Sequence, residues 1–177
     1  MRELSLHIMD IVENGINAGA TLITISIEED RGKNILVITI GDNGHGMNEA
    51  MLAKATDPFF TSRTTRRVGL GLSLLREACQ RCAGGFEIKS KEGQGTEVRA
   101  SFQLDHIDLA PLGDMGSSMA SLILGSPHVD FVYSHHIREN RFLLDTRDMK
   151  DELDGVPITH PEVIKYISKS IRESCGG

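Results

Sequence analysis

Apolar residues recur at helical spacing from the start of the chain, with Leu4, Ile8, Ile11, Val12 and Ile16 forming one stripe over residues 3–18. Gly19 stops that helix. Thr21-Leu22-Ile23-Thr24-Ile25-Ser26-Ile27 then alternates with a period of two, the pattern of a half-buried strand. The charged run 28–34, containing Gly32, reads as a hairpin connection into Ile35-Leu36-Val37-Ile38-Thr39-Ile40, which is apolar and β-branched enough for a buried strand. A short helix over 48–55 follows, capped by Asn48. Pro58 then blocks helix, and the polar, basic run up to Val68 is loop-like. Helical spacing resumes at Gly69-Leu70-Gly71-Leu72 and continues through Leu74, Leu75, Ala78 and Cys82 until Gly84-Gly85 ends it. Residues 86–90 and 96–102 alternate on either side of Gly93-Gln94-Gly95, which predicts an antiparallel hairpin.

Beyond this hairpin, 105–113 with Pro111 reads as a boundary. Residues 115–124 suit a helix ended by Gly125 and Pro127, and 129–133 and 141–145 suit two strands around a polar connection. Thr159 is the expected cap of a last helix that starts near Pro161 and carries Val163, Ile164, Ile167 and Ile171. The expectation is an α/β chain with a main domain over 1–104 and a small α-β-β-α extension over 105–177, packed on the first domain or on another chain.

Composition narrows the class. With 40% hydrophobic and 25% charged residues in 177, the chain has the make-up of an ordinary globular protein. A net charge of -6 argues against a nucleic-acid surface, which shows as a basic excess. No run reaches the roughly 18 apolar residues of a membrane span, and the first residues follow a helical pattern rather than that of a signal sequence. Three cysteines make no disulfide framework and agree with a reducing compartment, so a cytoplasmic location is expected.

The candidate chemistry centres on Asp42-Asn43-Gly44-His45-Gly46-Met47. A carboxylate at the end of a buried strand has no packing role and must meet a donor, a cation or a ligand. Gly44 and Gly46 let the backbone turn sharply and let a flat ligand approach. On the first helix Asp10, Asn14 and Asn17 stand at i, i+4 and i+7, so they share a face and converge on one small target. Glycines at 69 and 71 leave the first N–H groups of the following helix open to an anion such as phosphate. Other groups carry less. Cys79 and Cys82 form a C-x-x-C without the second pair of a metal site, and side-chain packing accounts for them. Ser134-His135-His136-Ile137-Arg138 superficially matches a kinase phosphoacceptor box but falls in a strand pattern rather than on a helix.

Taken in order, Asn14, Asp42-x-Gly44-x-Gly46, Asp57-Pro58-Phe59-Phe60, Gly69-x-Gly71-Leu72 and Gly95-Thr96 make residues 3–104 resemble the GHKL ATP-binding superfamily, which joins gyrase, ninety-kilodalton heat-shock chaperones, histidine kinases and MutL. Pro58-Phe59-Phe60-Thr61 with Gly69-Leu70-Gly71-Leu72-Ser73 is most similar to sensor histidine kinases, while Val12-Glu13-Asn14 with Asn17-Ala18-Gly19-Ala20-Thr21 is more similar to MutL. The resemblance implies the Bergerat-type fold, a two-layer α/β sandwich with a mixed sheet covered by helices on one face. It implies ATP and magnesium as ligands, with Asn14 holding the metal and Asp42 accepting from the adenine amine. Gly44, Gly46 and Met47 would line the purine, and Thr96 would pack beside it. Phe60, Arg63 and Arg67 would belong to a lid over the phosphates, and Gly69, Leu70, Gly71 and Leu72 to the phosphate-binding turn. Where hydrolysing members carry a glutamate as general base, this chain has Asp10, about 1.5 Å shorter in reach. Asn17 stands where kinases commonly carry a basic residue. The resemblance therefore implies phosphoryl transfer to a partner protein in trans or ATP-regulated signalling. Two alternatives stay open: a nucleotide-dependent interaction module working through 105–177, and a slow MutL-like ATPase. Self-association also stays open.

Overall fold

The computed structural model describes residues 2–57 and 70–176. Six strands form one mixed sheet: β1 (Leu22–Asp30), β2 (Ile35–Asp42), β3 (Phe86–Lys91), β4 (Gly95–Gln103), β5 (Asp130–Ile137) and β6 (Asn140–Asp145). Their order across the sheet is β3-β4-β2-β1-β5-β6, antiparallel throughout except that β5 runs parallel to β1. Six helices are described: α1 (Leu4–Asn17), α2 (Glu49–Ala55), α3 (Leu70–Arg81), α4 (Met115–Gly125), α5 (Thr146–Glu152) and α6 (Pro161–Cys175).

Strand alternation decides which face is covered. Ile23, Ile25 and Ile27 of β1, Ile38 and Ile40 of β2, Val98, Ala100 and Phe102 of β4, and Phe131 and Tyr133 of β5 are buried, whereas Thr24, Glu28, Glu97 and Arg99 between them are not. The buried set meets Leu4, Ile8, Ile11 and Val12 of α1, Leu72, Leu75 and Cys79 of α3, Met115, Met119 and Leu122 of α4, and Ile167 and Ile171 of α6. The fold is thus the expected α/β sandwich with helices over one side of a mixed sheet. The C-terminal elements continue that sheet: β5 adds to β1, the outer strand of the first four, and β6 becomes the new edge.

Two local expectations need correcting. The last helix is capped by His160, whose ring Nδ1 accepts from the Glu162 N–H at 3.3 Å, and not by Thr159. With Pro161 as the first helical residue, the position just before it is 160. The short helix α5 is an element that hydrophobic periodicity does not reveal. It is set by Asp145, which accepts from the Arg147 N–H at 2.9 Å, and by buried Thr146, whose hydroxyl accepts from the Phe131 N–H at 2.9 Å.

Candidate functional site

The turn after β2 is held from several sides. The Asn43 side-chain oxygen accepts from the Thr21 and Leu22 N–H groups at 2.8 and 3.0 Å, and its amide donates to the Thr21 hydroxyl at 2.9 Å. The His45 N–H donates to the Ala18 carbonyl at 2.9 Å, and the His45 carbonyl accepts from Gly93 at 2.7 Å. Glycine is required here by close packing of backbone against protein. A Cβ on Gly44 would stand 2.8 Å from the Ala18 side chain and carbonyl, and one on Gly46, at φ +65°, 2.1 Å from the Lys91 carbonyl oxygen. The packing itself requires that these two residues carry no side chain. They let the turn wedge between the end of α1 and the β3–β4 hairpin.

Asp42 shares the parity of buried Ile40, and Thr96 that of buried Val98, so both side chains stand on the helix-covered side of the sheet. The Asp42 carboxylate is half-buried and accepts from the Gly44 N–H at 2.8 Å, and the Thr96 N–H faces it from β4. Burial pushes its pKa above the ordinary carboxylate value, while those two donors and nearby His45 pull the other way. Among the described residues, no lysine or arginine comes within 4.0 Å of it. It is an acceptor with spare lone pairs and, among the described residues, no countercharge.

A cavity of about 160 Å³ opens beside it. Ile11, Met51, Ala55, Leu72 and Val98 give apolar walls, and Asn14, Asn17, Asp42 and Thr96 supply polar groups, with Gly46 and Met47 at the rim. Five elements thus bring together Asn14, Asn17, Asp42, Gly46, Met47, Leu72 and Thr96 of the sequence-predicted set. A hollow of about 490 Å³ on the open side of the sheet also touches Asp42 and Thr96, along with Thr24, Lys89, Lys91 and Glu97. Since both of the shared side chains face the helices, the smaller enclosed cavity is the better candidate.

Asp10 is half-buried and does not line this cavity. Burial raises its pKa, and α3 crosses close by, a Cβ on Gly71 lying 3.0 Å from the Asp10 Cβ. Gly71 therefore also serves helix–helix approach, while Leu70, the first residue of α3, is exposed. Phe60, Arg63, Arg67 and Gly69 lie outside the described residues. Sequence reasoning missed Ser90. Its hydroxyl accepts from the Met47 N–H at 2.8 Å, bonds to the Gly95 carbonyl at 3.0 Å and lies 2.8 Å from the Thr96 hydroxyl, so it ties the turn to β4. A serine that shares a face with Ile88 on an edge strand carries no local mark of this duty.

The remaining reactive groups are structural in their surroundings. Cys79 and Cys82 are buried, and burial pushes the Cys79 thiol up to about 12. His135 is buried on β5 beside Tyr133, its Nδ1 3.1 Å from the phenol and 3.5 Å from the Cys175 sulfur, with the Phe142 ring stacked at 5.3 Å. No group of three or more metal-ligating side chains occurs among the described residues. Among them, too, no helix is long and apolar enough to cross a membrane.

Comparison with known proteins agrees with this geometry. Residues 2–106 match the family described as histidine kinase-, DNA gyrase B-, and HSP90-like ATPase. A candidate sensor protein of Shewanella frigidimarina is 34% identical over 109 residues, covering 60% of this chain and 17% of that protein. The sensor histidine kinase ZraS of Salmonella typhimurium is 30% identical over 93 residues, covering 52% of this chain and 20% of that protein. The chain thus spans about a fifth of the length of the curated relatives it matches. In fold, it is similar to the Aquifex aeolicus MutL ATPase domain complexed with ADP, at a TM-score of 0.50 and 15% identity, covering 82% of this chain and 63% of that domain.

Proposed function

Because the chain belongs to the histidine kinase-, DNA gyrase B-, and HSP90-like ATPases, we propose that the cavity beside Asp42 takes the adenine of ATP and that the nucleotide serves phosphoryl transfer to a partner protein. The observation that carries this reading is the Asp42 carboxylate, half-buried and held by the Gly44 N–H with no lysine or arginine within 4.0 Å among the described residues, since such a group is completed by the exocyclic amine of a purine. The Thr96 hydroxyl, positioned by Ser90, is the second polar group at the purine end. Asn14 and Asn17, one and two turns of α1 closer to its C-terminus than Asp10, would face the phosphates, with Leu70, Gly71 and Leu72 at the start of α3 and with Phe60, Arg63, Arg67 and Gly69 from the preceding segment. The Asn14 amide oxygen is a hard donor of the kind magnesium selects, and the bound ion would supply charge neutralisation between phosphate groups.

Transfer in trans is favoured because the histidines of the Ser134-His135-His136 segment belong to a sheet strand, with His135 sealed beneath Phe142 and α6. Residues 105–177 would then engage the partner, in the cytoplasm. The hydrolytic alternative rests on Asp10, whose raised pKa suits a proton acceptor less far from neutrality than an ordinary aspartate. Titration calorimetry tests the central point. ATP with magnesium is expected to bind, and GTP, which presents a carbonyl where adenine has its amine, to bind at least about tenfold more weakly. Equal affinities would remove Asp42 from recognition. With γ-labelled ATP alone the protein is expected to stay unlabelled, and acid-labile label on His135 or His136 would replace transfer in trans with self-phosphorylation.

A further inference from the structure

The two edges of the sheet differ in how they are finished. Edge strand β3 alternates Glu87, Lys89 and Lys91 with its apolar residues, and Glu87 and Lys89 are paired at 3.1 Å. Charges of this kind discourage a neighbouring strand from adding to an edge. The opposite edge, β6, reads Asn140-Arg141-Phe142-Leu143-Leu144-Asp145, with three consecutive apolar residues and no lysine or proline. Phe142 and Leu144 point to the helix side, where they meet His135 and Tyr133, and Leu143 points to the open side, 68% exposed.

The backbone of β6 can be assigned from its hairpin. Ile137 and Asn140 flank a two-residue turn and form the closing hydrogen-bonded pair, so Phe142 and Leu144 also bond to β5. Arg141 and Leu143 therefore direct their N–H and C=O groups away from the sheet, as Asp145 does its N–H, while the Asp145 C=O, at the N-cap of α5, accepts the first helical bond. Among the described residues, no backbone bond outside regular helices and strands involves 140–145.

This strand is its own antiparallel complement, and we propose that the chain pairs with a second copy along β6, two-fold symmetric about Leu143, to give a continuous twelve-stranded sheet. With Leu143 opposite Leu143, Leu143 exchanges both bonds with its counterpart and the Asp145 N–H of each copy meets the Arg141 C=O of the other, as the backbone directions require. The same register sets Arg141 of each copy opposite Asp145 of the other. Asp145 already accepts from the Arg147 side chain at 2.7 and 3.0 Å and its own side chain is only 13% exposed, so Arg141 of the second copy joins this charge cluster at its rim, and the pairing rests on the backbone ladder and on Leu143. A one-residue slip would place inward-bonded Phe142 and Leu144 against the partner's outward groups and would lose both charge pairs. One short strand per copy makes a small interface, so the association is concentration-dependent rather than obligate.

Sedimentation equilibrium of the full chain in reducing buffer is the test. The mass is expected to rise from 19.4 kDa toward twice that value as concentration increases. Leu143→Lys, at an exposed site, is expected to leave the chain monomeric and its circular dichroism spectrum unchanged. Leu143→Cys is expected to form a covalent dimer on mild oxidation, reversed by reductant, whereas Glu139→Cys at the hairpin turn and the wild type, with its own three cysteines, do not. A monomer at every concentration overturns the proposal, as does a dimer that survives Leu143→Lys or a Leu143→Cys chain that stays uncrosslinked.

Discussion

Asp42 in the first four strands and Asp114 at the head of α4 are both aspartates that accept backbone N–H groups, yet their surroundings drive them in opposite directions. Asp114 accepts from the Ser117 N–H at 3.0 Å and holds the Arg172 guanidinium through contacts of 2.8 to 3.1 Å, which keeps its carboxyl well below the usual carboxylate range. Asp42 has the Gly44 N–H but, among the described residues, no lysine or arginine beside it, and burial raises it. One carboxylate is completed by the fold and ties α4 to α6. The other is left incomplete at the rim of a cavity. The same contrast holds for buried polar clusters. Tyr133, His135 and Cys175 satisfy one another apart from the His135 Nε2, whereas Asn14, Asn17 and Asp42 converge on empty space. A group that has already found its partner inside the fold stabilises it, and a group held in place without one marks where a ligand would enter.

The sharpest way to break this comparison is through the backbone that holds Asp42. Gly95 has φ +96°, and a Cβ there would stand 1.9 Å from the Asp42 carbonyl oxygen. Gly95→Ala is expected to cost about 3 kcal/mol or more by urea denaturation, from overpacking plus left-handed strain. Gly125→Ala, at the end of α4 with nothing within 4 Å, is expected to stay within about 1 kcal/mol of wild type. Similar losses from both would show that the turn is no more tightly determined than the helix end.

Next in size is Asp42→Asn, expected to lower ATP affinity about ten- to a hundredfold by calorimetry, the cost of a charged hydrogen bond. Its effect on the unliganded protein has the opposite sign. A carboxyl whose folded pKa lies above its unfolded value of 3.8 contributes stability in acid and loses it as pH rises through the folded value, so at pH 7 the ionised group opposes folding. Asp42→Asn should therefore unfold at higher urea concentration than wild type at neutral pH. Asp114→Asn should do the reverse, with unchanged ATP affinity. A carboxyl held below 3.8 contributes stability above that pH and loses it as pH falls toward its folded value, so wild type and Asp114→Asn should converge in acid. Loss of stability from Asp42→Asn at pH 7 would make Asp42 a structural residue like Asp114.

The contrast was only partly visible in the chain. Asp42, Asn14 and Asn17 could be found because a carboxylate at a strand end and two amides on one helix face are local patterns, and local patterns survive without knowledge of the fold. The reason for Gly44 and Gly46 was not legible, because the Ala18 and Lys91 carbonyls that exclude a Cβ come from distant segments. Residue type points to Thr159 as the cap, whereas the position of Pro161 selects His160. Helix α5 has too few apolar residues for a period to register, and its start depends on the tertiary bond from Phe131 to Thr146. Nothing in the spacing of 129–137 indicated parallel pairing with β1, since a parallel partner is chosen by packing of the whole sheet.

The smallest expected effect concerns Ser90, the residue that joins the two sides of the purine end. Ser90→Ala removes the acceptor of the Met47 N–H and the hydroxyl 2.8 Å from Thr96, leaving one half-buried donor unpaired and one hydroxyl free to rotate. A loss of about 1 kcal/mol, or roughly fivefold in affinity, follows from one such hydrogen bond. Because these bonds lie at the proposed purine end beside Thr96, the same factor should be lost for ADP as for ATP, and Ser90→Thr, which keeps the oxygen, should restore most of it. A deficit confined to ATP would place Ser90 with the phosphates, and Asp42 would then have to be read at that end of the cavity as well.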